Sequence, residues 1–306
     1  MRNKFADAIY EIGKTNPKIC ALVADISPAG SMVKFREEFP ERFVNCGVAE
    51  QAMIGIAAGM ALKGMRPFCY TIATFSLYRP FEMVRDDLAY QNLPVTVIGM
   101  GAGVIYSTLG GTHHTMEDIA VASAIPNMTV LAPCDPEEMR LATTWCATES
   151  TGPVYMRLGK AGEPDLTANA ADPFEVGKVR VLNSGDGSLC ILSYGITVDM
   201  ALKTAALYKE RTGQEAAVVS CHTIKPLDEN GIAEILRKYQ KVAVIEEHVP
   251  HGGLGSRVKG IACDIAAPAR VLGFSLKDEF IHFYGNHTEL LDVHGLSPDK
   301  IVGSLI

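Results

Sequence analysis

No Cys-x-x-Cys pair occurs in this chain, and its eight cysteines (20, 46, 69, 134, 146, 190, 221 and 263) stand singly, most inside apolar runs such as KICALVAD and SLCILSYG. That spacing offers neither a disulfide framework nor a zinc site, and reads as buried free thiols of a reducing, cytoplasmic environment. Clustered Lys and Arg are also absent. The formal net charge is −7 and no basic block interrupts the 306 residues, which argues against nucleic acid as a partner. The longest apolar run, VTVIGMGAGVI (95–105), is too short and too glycine-rich to span a bilayer, and the amphipathic start MRNKFADAIYEIG lacks a signal-peptide core. No membrane partner is expected.

Two nucleotide-binding patterns are missing, G-x-G-x-x-G and the P-loop. GMGAG (99–103) has glycines only at alternate positions, follows a strand-like run and opens no obvious helix, so it reads as a turn. HVPHGGLGS (248–256) has histidines three apart with proline between them, which suits a turn into a helix better than a metal pair. His222, His282 and His287 read as core or surface histidines.

With 48% hydrophobic and 21% charged residues, the composition is that of a globular protein. Apolar runs alternate with helical patterns, the signature of α/β units on mainly parallel sheets. In the first half the expected strands are 19–25, 66–72, 94–100 and 128–134, with helices over 2–13, 50–63, 79–91 and 117–124. Another helix should begin after Asp135, which can cap it, with Pro136 in the first turn. The polar stretch 159–178 has two prolines and no helical period, and is expected to link two domains, 1–168 and 169–306. Strands at 188–195, 215–222, 241–248 and 269–275 and a helix over 197–211 are expected beyond it.

The stretch NCGVAEQAMIGIAAGMALKG (45–64) places one acid, Glu50, at the head of a helix crowded with Gly and Ala. Taken alone, that acid could simply serve a helix start. The pair His113–His114 follows the glycine loop STLGG and precedes TMEDIA, a helix start with acids in its first turn. A histidine at such a junction stands where α/β proteins place their chemistry.

Several segments together resemble the transketolase family. They are ERFVNCGVAEQAMIGIAAGMALKG, TFSLYRPFEMVRDDLAYQNLPV and GGTHHTMEDIAVASAIPNMTVLAPCDPEEM for its pyrimidine-binding domain, then HTIKPLDENGI and VAVIEEHVPHGGLGS for its C-terminal domain. The resemblance covers nearly the whole chain and corresponds to the C-terminal two-thirds of such an enzyme. It implies an α/β fold of two domains, each a mainly parallel sheet flanked by helices.

The resemblance further implies thiamine diphosphate as cofactor. In the family a carboxylic acid hydrogen-bonds the pyrimidine ring of that cofactor and exchanges a proton with it; Glu50 falls on that position. An apolar setting would raise its affinity for the proton. Phe75, Tyr78 and Phe81 match the aromatic residues that seat the ring, with Tyr78 expected to stack on it. For Phe81 an ordinary hydrophobic helix face explains the residue as well. His113 matches a histidine beside the reacting carbon. Asp25 matches another pocket acid, and equally suits a strand-end turn. Arg2 and Arg157 match arginines that grip a sugar phosphate.

The match departs in places. Leu109 stands where the family has an aspartate that recognises a sugar hydroxyl, and it cannot accept that bond. Ala29 and Gly101 stand where the family has a serine and a histidine for the phosphate. The Gly-Asp-Gly motif that holds a divalent metal, usually Mg2+, does not occur. The resemblance therefore implies a split enzyme, in which a separate N-terminal subunit carries the diphosphate-binding domain and the metal, in an α2β2 assembly acting on a sugar or sugar phosphate. Three other readings are a 1-deoxyxylulose-5-phosphate synthase-like enzyme, the β subunit of a 2-oxoacid dehydrogenase, and a non-catalytic regulatory or scaffold subunit.

Overall fold

Unbroken apolar runs cannot stand half in water, so each becomes a strand covered on both faces. In the computed structural model, which describes residues 1–26, 32–168, 170 and 172–306, two such sheets form. The first contains β1 (Ile19–Val23), β2 (Phe43–Asn45), β3 (Arg66–Ile72), β4 (Thr96–Met100), β5 (Thr129–Leu131) and β6 (Val154–Leu158). The second contains β7 (Arg180–Asn183), β8 (Leu189–Ser193), β9 (Ala217–Ser220), β11 (Lys241–Ile245) and β12 (Arg270–Phe274). Between β9 and β11 the chain sends out β10 (Thr223–Lys225), which joins the first sheet antiparallel to β5. The orders are β10-β5-β6-β4-β3-β1-β2 and β12-β11-β8-β9-β7. Pairings are parallel except at β10 and at the edge strand β7.

The first sheet lies between two helical layers. One contains α1 (Arg2–Thr15), α2 (Met32–Glu38) and, later in the chain, α6 (Pro136–Thr148); the other contains α3 (Glu50–Leu62) and α5 (Asp118–Ala124). Between β3 and β4 the chain is helical from Thr74, five residues before the expected start at 79. Thr74–Tyr78 and Val84–Tyr90 are wound as π-helix around the short α4 (Phe81–Met83). Pro80 has no N–H to donate, which favours this wider winding over regular α-helix. The second sheet carries α7 (Thr197–Thr212), α8 (Glu229–Lys238), α9 (Leu254–Asp264), α10 (His287–Val293) and α11 (Pro298–Leu305).

Asp135 caps α6 as expected, accepting from Glu138 N at 2.7 Å. Its other oxygen accepts from the N–H and hydroxyl of Thr167, which ties the connecting stretch down. Between β6 and β7 the described residues contain no helix or strand. Four strands fall outside the sequence expectation, namely β2, β6, β7 and β10. Three are short; in β6 an arginine interrupts the apolar run, yet all five residues are buried. GMGAG is a turn, with Gly101 and Gly103 at φ of +70° and +74°. HVPHGGLGS leads into α9. All eight cysteines are free, and only Cys263 is exposed. Among the described residues no helix is long and apolar enough to cross a membrane.

Candidate active site

In open parallel sheets the crevice beyond the carboxyl ends of the strands is where ligands bind. Here β1 leads to Asp25, β3 to the helical turn with Phe75 and Tyr78, and β4 to the loop with His113. A cavity of about 640 Å³ opens there, lined among others by Thr74, Phe75, Tyr78, Arg79, His114 and Glu117, with Phe280 from the second domain at its rim. Thr74 is buried on this wall, and its hydroxyl has no hydrogen-bond partner.

Glu50 is the first residue of α3 and only 3% exposed. Its surroundings correct the expectation of an apolar setting: Arg79 Nη1 donates to both carboxylate oxygens at 2.8 Å. The same guanidinium lies 4.4 Å from the centre of the Phe75 ring, so Arg79 bridges the acid and the aromatic wall. Arg79 remains 44% exposed, free to move without disturbing the core. Nothing in the sequence pattern marked it, because its partner lies 29 residues away.

The Phe75 ring is edge-on to His113, with centroids 5.2 Å apart. His113 is half-buried, while His114 is buried on the cavity wall, where desolvation holds its ring below the ordinary histidine range. Tyr78 donates its hydroxyl to Glu117 Oε2 at 2.9 Å and accepts from Glu117 N at 3.1 Å. Burial, then the charges of Asp118 and Glu117, keep that phenol protonated by pushing its pKa up. Glu117 was another residue the sequence did not single out; only its place in an acidic first turn hinted at it. Phe81 lies outside the cavity and is 37% exposed.

Asp25 is exposed in a turn at φ +44°, and its N–H donates to Asn45 Oδ1 at 3.2 Å. Asn45 Oδ1 also accepts from Gly47 N, so one side chain ties the Asp25 turn to the loop entering α3. Arg2 is half-buried with its Nε unpartnered.

Arg157 does not reach out for an anion, contrary to the expectation. It is 4% exposed, and its Nε donates to Asp118 Oδ2 at 2.9 Å. Its Nη2 donates to the Glu247 carbonyl at 2.8 Å. The guanidinium neutralises a buried carboxylate and joins the two domains. The phosphate position at Ala29 lies outside the described residues. At Gly101 a Cβ would overlap the Tyr106 ring, so this backbone accepts no larger side chain there. His287 is half-buried and bonded to Glu247. No group of three His, Cys, Asp or Glu side chains among the described residues is placed to hold a metal ion.

Comparison with family models matches residues 1–162 to the transketolase pyrimidine-binding domain and residues 177–301 to the transketolase C-terminal domain. The chain belongs to the transketolase family. Among curated relatives, an apulose-4-phosphate transketolase subunit of Phocaeicola vulgatus is 34% identical over 300 residues, 98% of this chain and 94% of that protein. The 1-deoxy-D-xylulose-5-phosphate synthase of Gloeobacter violaceus is 34% identical over 303 residues, 98% of this transketolase-family chain but 47% of the synthase. Among solved structures, one described as a split-gene transketolase, inactive beta4 tetramer, superposes with a TM-score of 0.87 at 34% identity, covering 99% of this chain and 96% of that one.

Proposed function

We propose that this chain is the C-terminal subunit of a two-component, thiamine-diphosphate-dependent transketolase that moves a two-carbon ketol unit from a ketose or ketose phosphate to an aldehyde. The observation that carries this is the single crevice that gathers Glu50, the Phe75 and Tyr78 rings and His113 at the carboxyl ends of parallel strands. The cavity fits the pyrimidine half of the cofactor: aromatic faces to stack on, a buried unpartnered hydroxyl at Thr74, and a carboxylate behind a movable arginine. When bound, the cofactor supplies the carbon that carries the two-carbon unit.

Phe75 and Tyr78 would hold the ring, and Glu50 would hold and exchange a proton at its nitrogen once Arg79 moves aside. Asp25, on the turn that Asn45 ties to the same loop, would close the pocket beside them. Phe81 would add to the apolar rim. His113 would orient substrate oxygens beside the reacting carbon. Arg2 is the better placed of the two expected arginines for an anionic tail. Leu109, 50% exposed, offers no acceptor where the family reads a sugar hydroxyl. This favours a donor or acceptor that differs there, in keeping with a relative named for apulose 4-phosphate.

Diphosphate and a divalent cation such as Mg2+ would be held by a separate N-terminal subunit, in a cytoplasmic α2β2 assembly. Two observations support a partner: the chain is as long as subunits from split enzymes, and α3 turns an uncharged face (Ala52, Gly55, Ile56, Gly59) outward. The domain division proposed is 1–168 and 169–306.

The test is reconstitution with the N-terminal subunit, thiamine diphosphate and Mg2+ over a panel of ketose phosphates. Ketol transfer by the mixture only, lowered about 10²–10⁴-fold by Glu50→Gln, is the expected result. Transfer by this chain alone, or full activity of Glu50→Gln, would overturn the reading. The synthase reading, which the Gloeobacter relative favours, instead requires pyruvate consumption with release of carbon dioxide.

A further inference from the structure

Residues 103–115 form a closed loop that carries His113. Its neck is a pair of backbone bonds: Gly103 N–H donates to the Thr115 carbonyl at 3.0 Å, and Thr115 N–H returns to the Gly103 carbonyl at 2.8 Å. Three consecutive residues of the second domain, just beyond β11, hold both sides of this neck. Val104 N–H donates to Glu247 Oε1 at 2.5 Å, Ala120 N–H to His248 Nε2 at 3.3 Å, and Val249 N–H to the Met116 carbonyl at 2.9 Å. The approach at Gly103 is so close that a Cβ there would overlap the Glu247 carboxylate.

Glu247 is fully buried, and an isolated carboxylate in that position would be costly. His287 Nε2, 3.0 Å away on the first turn of α10, supplies the counter-charge, and Arg157 fixes the Glu247 backbone. A bond from an amide to an ionised acceptor is about twice as strong as one between neutral groups, so the charge on Glu247 determines how firmly the neck is held.

We propose that Glu247, paired with His287, is a positioning residue: through Val104 it fixes the neck of loop 103–115 and thereby the stance of His113 against the cavity. The holding of the loop stands on its own; its catalytic meaning rests on the role given to His113 above.

The test has two readouts. Hydrogen exchange is measured on the free chain for wild type, Glu247→Ala, Glu247→Gln and His287→Gln. Amides of 103–116 should lose protection about tenfold or more in Glu247→Ala and less in the two milder variants, while β1 stays as protected as in wild type. Unchanged exchange in 103–116, or an equal rise throughout β1, overturns the proposal. In the reconstituted complex, Glu247→Ala should lower kcat by up to about 10²-fold and leave the half-saturating cofactor concentration within about twofold. The same substitution on a His113→Ala background should add little, because the loop would have no histidine left to place. An equal loss on both backgrounds also overturns the proposal. A wild-type complex without activity refutes the transketolase reading instead, and exchange alone then decides whether Glu247 holds the loop.

Discussion

Replacing Arg157 with Met tests the central ion pair most directly. The guanidinium is 4% exposed and Asp118 is fully buried. Asp118 Oδ2 accepts from Arg157 Nε at 2.9 Å and from the Tyr155 hydroxyl at 2.8 Å, while Oδ1 has no partner. Methionine has the right volume and no charge, so the variant leaves a buried carboxylate with one neutral donor. Breaking a buried pair from one side costs about 3–5 kcal/mol. Against a total stability of about 5–15 kcal/mol this is a large share, equivalent to a fall in Tm on the order of 10 °C. Urea unfolding followed by the single tryptophan, Trp145 in α6, reports on the first domain, where the pair sits. The double variant Arg157→Met/Asp118→Asn removes both charges and keeps an acceptor for Tyr155, and should recover most of the loss. A deficit below about 1 kcal/mol for the single variant, the size expected of an exposed pair, would refute the buried-pair argument.

Two further outcomes follow from packing and titration. Gly99 in β4 faces the Tyr155 ring of β6, and a Cβ there would overlap the phenol; Gly99→Ala should therefore destabilise by about 1–3 kcal/mol, read from the urea midpoint, and no loss would mean the strands have more room than they show. At the Glu247–His287 pair, burial pushes the carboxyl up but His287 and Arg157 outweigh it and its pKa ends below the ordinary 4.5. Burial lowers the imidazole, yet Glu247 outweighs this and holds it above the ordinary 6.5. The histidine's contribution is complete below pH 6.5 and is lost as pH rises through its raised value; the carboxylate's is complete above pH 4.5 and is lost as pH falls through its lowered one. The stability gap between wild type and His287→Gln should thus be widest between these values and narrow towards pH 9, whereas a gap that widens with alkali would contradict the pairing.

Much of the scaffold was legible because its causes are local. Apolar runs bounded by turns mark β1, β3, β4, β8 and β11, and Asp135–Pro136 marks the start of α6, since backbone burial and capping depend on neighbouring residues. Glu50 stood out as a lone charge in a small-residue helix, and the aromatic spacing of Phe75 and Tyr78 placed both on one wall. β10 was not legible. Its three residues pair with a strand over 90 positions away, and nothing in their own pattern says which sheet they join.

What the chain order alone determined is therefore the α/β class, the main strands and the candidate acid, rings and histidine. Tertiary structure decided which charges meet. It set Arg79 against Glu50, buried Arg157 on Asp118 rather than leaving it for a substrate, and placed Glu247 of the second domain under the His113 loop of the first. Charge pairing depends on distance through space, and in a parallel α/β fold residues 29, 39 and 143 positions apart become neighbours only once the sheets have formed.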